Sequence, residues 1–198
     1  MRFGPKTERL GYKRGFELEN QWLGHKIDWD SILKKRNISK EEAEKWGQER
    51  WKEFIQRNYP KNPELPEKNP AKLPDKKPAR DLFDFVAKKL GLDPNEQKGL
   101  DFYNSLGTKL DRMYGVDCFF VFKNPRTGKK ADLTIDITAE TLKDEYKANH
   151  IMGEAPDPPR PGEDNYRKKE IEYIEKMDEI AEEIAEKLKN KTGPTYKE

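Results

Sequence analysis

Residues 116–138 limit the possible folds of this chain more than any other stretch, because they carry its clearest β-hairpin pattern. Residues 116–122 are an apolar, β-branched and aromatic run broken only by Asp117. Such a run predicts a strand covered on both faces. The next eight residues, 123–130, collect Asn124, Pro125 and Gly128 with the charges of Lys123, Arg126, Lys129 and Lys130, and predict a turn. Residues 131–138 then alternate. Ala131, Leu133, Ile135 and Ile137 share one face; Asp132, Thr134, Asp136 and Thr138 share the other. So short a connection makes the two strands antiparallel. Asp117 opens the first strand and Asp136 lies near the end of the second, so the two carboxylates become neighbours. Asp132 and Thr134 are expected on a solvated part of the polar face, and Cys118 as a small buried hydrophobe.

A carboxylate in a strand that otherwise reads as buried is unfavourable unless something pairs with it. The partner is either a metal ion or a lysine or arginine. Two carboxylates at close range repel, and one holds its proton unless a cation sits between them. Mg²⁺ takes oxygen ligands, commonly one or two carboxylates completed by water and substrate phosphate. Such a site polarises a phosphate and activates a water. A lysine beside it stabilises charge developing on the phosphate. Lys143 and Lys147 follow the acidic strand.

The pattern resembles the PD-(D/E)XK nuclease superfamily, over about residues 93–152. That family's core is a helix, a β-hairpin bearing an Asp and then an Asp/Glu-x-Lys, and a further helix and strand. Asp117 looks like the first acid, and Asp136-Ile137-Thr138 looks like the tripeptide. Thr138 departs from the pattern, because it stands where the lysine belongs. Some members move that lysine to a neighbouring element, a part that Lys147 or Lys143 would take here. An acid from the preceding helix often assists, and Asp111 suits that role. The resemblance implies an α+β fold with an α/β core: a small mixed sheet with a central hairpin, flanked by helices and carrying helical and proline-rich extensions. It implies Mg²⁺, or Mn²⁺, held by Asp117 and Asp136. It also implies a nucleic-acid partner, DNA ahead of RNA. Lys123, Arg126, Lys129 and Lys130 in the turn are then candidates for phosphate contacts, which position a substrate without reading its sequence.

Composition explains why the core is expected to be small. Of 198 residues, 33% are hydrophobic and 39% charged, and the mean hydropathy is −1.17. A chain this polar is read as a compact centre with charged helices and extended segments around it. The net charge is only +2, with basic and acidic residues interleaved, so overall charge selects no partner. No apolar run is long enough to span a membrane, and no signal peptide is seen. A single cysteine excludes an internal disulfide framework. The chain reads as cytoplasmic, or as viral and made in a host cytoplasm.

Five segments follow. Residues 1–59 form an N-terminal helical arm, in which Trp22 and Leu23 dock one short helix and Trp29, Ile32 and Leu33 another. Ser39 opens a capping box, and a helix is expected from there to about Tyr59. The tryptophans of that helix either dock it or stack on nucleic acid. Residues 60–79 form a proline-rich linker, and residues 80–155 the nuclease-like core. Within the core, an Asp93 N-cap followed by Leu100, Tyr103, Leu106, Leu110 and Met113 at helical spacing predicts a helix up to Gly115. Residues 147–152 are expected to be a short third strand, with His150 as a core or edge residue. A second linker, 156–163, leads to a charged helix over 164–198. Its stripe of Ile174, Met177, Ala181, Ile184 and Leu188 suits either packing on the body or pairing with another chain, a second copy included. Two functions fit: a metal-dependent nuclease, or a non-catalytic assembly or nucleic-acid-binding protein on a nuclease-like scaffold.

Overall fold

In the computed structural model the described residues are 19–24, 27–59, 76–92, 99–138, 148–153, 156 and 158–195. The class is α+β. The hairpin forms at the centre of a four-stranded sheet of order β1-β2-β3-β4. These strands are Leu100–Asn104, Cys118–Lys123, Lys130–Thr138 and His150–Gly153. β1 and β3 flank β2 antiparallel, and β4 lies parallel to β3. The pairing of Cys118 with Ile135 fixes the register of the hairpin.

Helices cover both faces of the sheet, which is why β2 reads as an unbroken apolar run. One face carries Leu100, Phe102, Cys118, Phe120, Phe122, Leu133, Ile135, Ile137 and Met152. It packs against Trp22 and Leu23 of α1 (residues 19–23), α5 (Lys77–Lys89) and α7 (Tyr166–Thr192). The opposite face carries Tyr103, Phe119 and Val121, and meets α2 (Trp29–Lys35), α3 (Lys40–Glu44), α4 (Gln48–Asn58) and α6 (Lys109–Tyr114). The β2 side chains from Cys118 to Phe122 therefore alternate between two separate cores, according to parity.

Of the two possibilities for the C-terminal helix, the structure takes packing on the body. Tyr173, Met177, Ile180, Ala181, Ile184, Ala185 and Leu188 are buried, whereas Ile171 and Ile174 are exposed. The buried stripe is rotated and broader than a coiled-coil seam, as suits a helix seated on a wide surface. Lys89 of α5 clamps it by bonding Asp178 and Glu182, each at 2.8 Å.

Two helix expectations need correction. Residues 100–104 form strand β1, not the middle of a helix. The i, i+3 spacing of Leu100, Tyr103 and Leu106 was coincidental, because burial on both sheet faces removes the alternation that marks a strand. Gly107, at φ +83°, then separates β1 from the short α6. The expected helix from Ser39 to Tyr59 is two helices. Ser39 does cap the first, accepting from the Glu42 N–H at 3.1 Å, but the chain turns at Gly47, the N-cap of α4. The break brings Trp46 edge-on to Trp51, with ring centroids 5.2 Å apart. Both indoles are buried, and Trp51 Nε1 donates to the Ala43 carbonyl at 3.1 Å. These tryptophans therefore dock the helices against one another.

Candidate active site

The last pair of the hairpin register, Cys118 with Ile135, brings Asp117 and Asp136 to the same end of the hairpin. The Asp117 N–H donates to the Ile135 carbonyl at 2.9 Å. Its Oδ2 accepts from the Ile137 N–H at 2.7 Å. Both carboxylates are buried, each only 4% exposed. They lie on the sheet face that carries α6, at the open end of the hairpin.

Gly115 makes room for the second acid. It caps α6 in the left-handed region, φ 58° and ψ 41°, and a Cβ there would stand 3.2 Å from Asp136 Oδ2. Behind it, Ser105 Oγ donates to the Val116 carbonyl at 2.6 Å, and the Ser105 N–H donates to the Asp117 carbonyl at 2.9 Å. The backbone carrying Asp117 is thus fixed from two sides.

Two more acids act on Asp117. Burial pushes the Asp117 carboxyl well above the ordinary carboxylate range, and the negative charge of Glu19 adds to the rise. The Ile137 hydrogen bond works the other way, while the charges of Asp136 and Asp111 raise it further. Asp111 comes from the first turn of α6, as expected, and its Oδ2 also accepts from the Gly107 N–H at 2.7 Å. Glu19 was missed in the sequence. A signal for it existed: Glu19 stands three and four residues before Trp22 and Leu23, on the docking side of α1.

These are all hard oxygen donors, which suits Mg²⁺ or Mn²⁺, and a cation would oppose the burial and like charge that raise the Asp117 proton affinity. Among the described residues, no three His, Cys, Asp or Glu side chains are arranged to hold a metal. A cation here would have Asp117 and Asp136 as its candidate protein ligands, with water and substrate supplying the rest. Lys143 and Lys147 lie outside the described residues.

Thr134 and Asp132, two further polar positions of β3, have structural partners. Thr134 is buried, not solvated as expected; its hydroxyl donates to Asn149 Oδ1 at 3.1 Å and accepts from the Asn149 N–H at 2.9 Å. Asp132 is half-buried and bonds Lys52 Nζ at 2.6 Å. Lys52 is itself only 5% exposed. Burial alone would push its ammonium down, but the bonds to Asp132 and Glu49 hold it above its ordinary value.

The basic turn is not near the acids. Lys123, Arg126, Lys129 and Lys130 are exposed at the far end of the hairpin, roughly 20 Å from Asp117 at about 3.3 Å per residue. Lys130 Nζ bonds Gln56 Oε1 at 2.9 Å. The turn is held by the fully buried Asn124, which accepts from the N–H groups of Arg126 and Thr127 and donates to the Gly193 carbonyl at 2.9 Å. Cys118 is buried, as expected.

Among the described residues, no helix is long and apolar enough to cross a membrane. The chain matches no protein-family model, no curated protein and no solved structure.

Proposed function

We propose that this protein is a metal-dependent nuclease of the PD-(D/E)XK kind, hydrolysing nucleic-acid phosphodiester bonds. One observation carries the reading: Asp117 and Asp136 are both buried at the same end of the hairpin, and the charges of Asp136, Glu19 and Asp111 all raise the proton affinity of Asp117. A buried carboxylate of raised proton affinity beside further acids is a common mark of a functional site. The sheet order is consistent with the resemblance: a hairpin carrying both acids, then a further strand parallel to its second arm.

In this reading Asp117 and Asp136 hold Mg²⁺ or Mn²⁺, which when bound supplies phosphate polarisation and an activated water. The Ile137 N–H keeps Asp117 Oδ2 in place, leaving the other oxygen for the site. Asp111 and Glu19 tune the proton affinity of Asp117. Lys147 or Lys143 is assigned the role that Thr138 lacks, steadying charge on the scissile phosphate. The basic turn is assigned a backbone contact remote from the chemistry. The proposed setting is cytoplasmic, in a host cytoplasm if the protein is viral.

Incubation with DNA and RNA substrates in Mg²⁺ or Mn²⁺ tests this, with chelator and Asp136→Ala as controls. Metal-dependent cleavage lost in the variant is expected; no cleavage of any substrate overturns it. Thr138, in place of the lysine, favours a second reading, in which the same fold serves as a non-catalytic assembly or nucleic-acid-binding scaffold.

A further inference from the structure

Away from the acids, three arginines line one groove of about 500 Å³. Arg50 and Arg57 lie on one face of α4, seven residues apart, or about 10 Å along the helix. Arg36 faces them from the end of α2. Ile38, Trp46 and Phe54 form the apolar floor, and Glu53 is the one carboxylate in the lining.

Each guanidinium is anchored but not used up. Arg36 Nε donates to Asn58 Oδ1 at 2.6 Å, and its two terminal nitrogens make no hydrogen bond among the described residues. Arg50 lies 4.6 Å over the Trp46 ring and reaches Glu42 with one nitrogen at 3.1 Å. Among the described residues Arg57 makes only a long bond, 3.4 Å, to Glu53. A guanidinium stacked on an aromatic ring or pinned by a neutral amide keeps its charge while losing little freedom on binding an anion. Three such forks in one groove match the oxygens of successive phosphates.

We propose that the Arg36–Arg50–Arg57 groove binds the phosphodiester backbone of a nucleic acid, with the apolar floor receiving a sugar or base. This rests on the nucleic-acid part of the reading above, but not on catalysis. It also moves the principal backbone contact from the hairpin turn to the α2–α4 layer, on the same sheet face as the acids.

The test is binding of labelled DNA and RNA, single-stranded and duplex, to the full chain in chelator over a range of salt. The triple variant Arg36→Gln, Arg50→Gln, Arg57→Gln is compared with Lys129→Gln, Lys130→Gln and with the triple lysine replacement. The three arginines are exposed, and thermal melting checks that each variant stays folded. Loss of three phosphate contacts lowers the slope of log affinity against log salt by about 2–3, and affinity by more than about tenfold at moderate salt. The lysine replacement keeps the slope, and the turn variant changes less than the glutamine triple. An unchanged slope in that triple overturns the proposal, as does absence of nucleic-acid binding. Poly-glutamate bound as tightly, with the same loss, reassigns the groove to acidic polypeptides and also overturns it. Binding through the groove without any metal-dependent cleavage sinks only the nuclease reading; cleavage with an intact slope sinks only this one.

Discussion

The main-chain N–H of Ile137 donates to Asp117 Oδ2 at 2.7 Å, tying the first acid of the hairpin to the strand that carries the second. That bond stabilises the carboxylate form, yet burial and the charges of Glu19, Asp136 and Asp111 outweigh it. In the apo protein Asp117 therefore retains a proton that the unfolded chain releases above about pH 4. The native state binds more protons in that window, so this group makes stability fall as pH rises.

Asp117→Asn keeps the shape and removes the charge. In chelator at neutral pH the variant melts higher than the parent, by about 3 °C for each kcal/mol relieved in a chain of this size. The gap widens as pH rises from about 4, where the free carboxyl begins to ionise. A difference in Tm that does not change with pH contradicts this assignment.

His150 acts in the opposite direction. Burial and the positive charge of Lys187, 2.8 Å from its Nδ1, lower its pKa to about 4, against a weaker pull from Glu183. The unfolded chain takes up that proton near pH 6.5. The neutral imidazole thus contributes stability that is complete above about pH 6.5 and lost as pH falls towards 4. His150→Gln retains an acceptor for Lys187 and should flatten the acid side of the stability profile in urea titrations. A profile as steep as the parent's places the acid sensitivity elsewhere.

Asp132 and Glu49 both bond Lys52, at 2.6 and 2.7 Å, but differ in burial: their side chains are 34% and 79% exposed. Asp132→Ala strands the ammonium with a solvated partner and costs about 2–3 kcal/mol, below the range for a fully buried pair. Glu49→Ala costs under about 1 kcal/mol. Equal losses in denaturant unfolding would show that Asp132 is not the main partner.

The Asn124 side chain accepts two hydrogen bonds within the hairpin turn, from Arg126 and Thr127, and donates two to the carbonyls of Gly193 and Pro194 just beyond α7. Asn124→Ala leaves buried backbone groups unsatisfied and costs about 2–3 kcal/mol. It should also speed proteolysis of the C-terminal residues. Loss of stability without faster cleavage there argues that the turn, and not the α7 contact, is what Asn124 maintains.

The hairpin was legible because its two strands carry different signals, an apolar run and a strict alternation, separated by an unmistakable turn. Those signals placed Asp117 and Asp136 at the same end of the hairpin. β1 was not legible, because a strand buried on both faces has no alternation and its apolar residues happened to fit a helix. The same double burial hid the roles of Thr134 and Asp132, whose partners Asn149 and Lys52 come from 15 and 80 residues away. Asn124 looked like one more turn residue, since its bonds to residues 193 and 194 depend on how α7 docks. Glu19 lay on a helix face that was read only for its tryptophan and leucine.

The central claim is that Asp117 and Asp136 form a cation site, and thermal melting tests it without knowledge of the substrate. Full-length protein is melted in chelator and then in rising Mg²⁺ and Mn²⁺, beside Asp117→Asn and Asp136→Asn. A ligand that binds only the folded state at a hundred times its Kd adds about 2.7 kcal/mol. The account predicts a saturable rise in Tm for the parent, larger at higher pH as Asp117 gives up its proton, and no rise in either variant. A Tm unmoved by either metal, or moved equally in all three proteins, contradicts it.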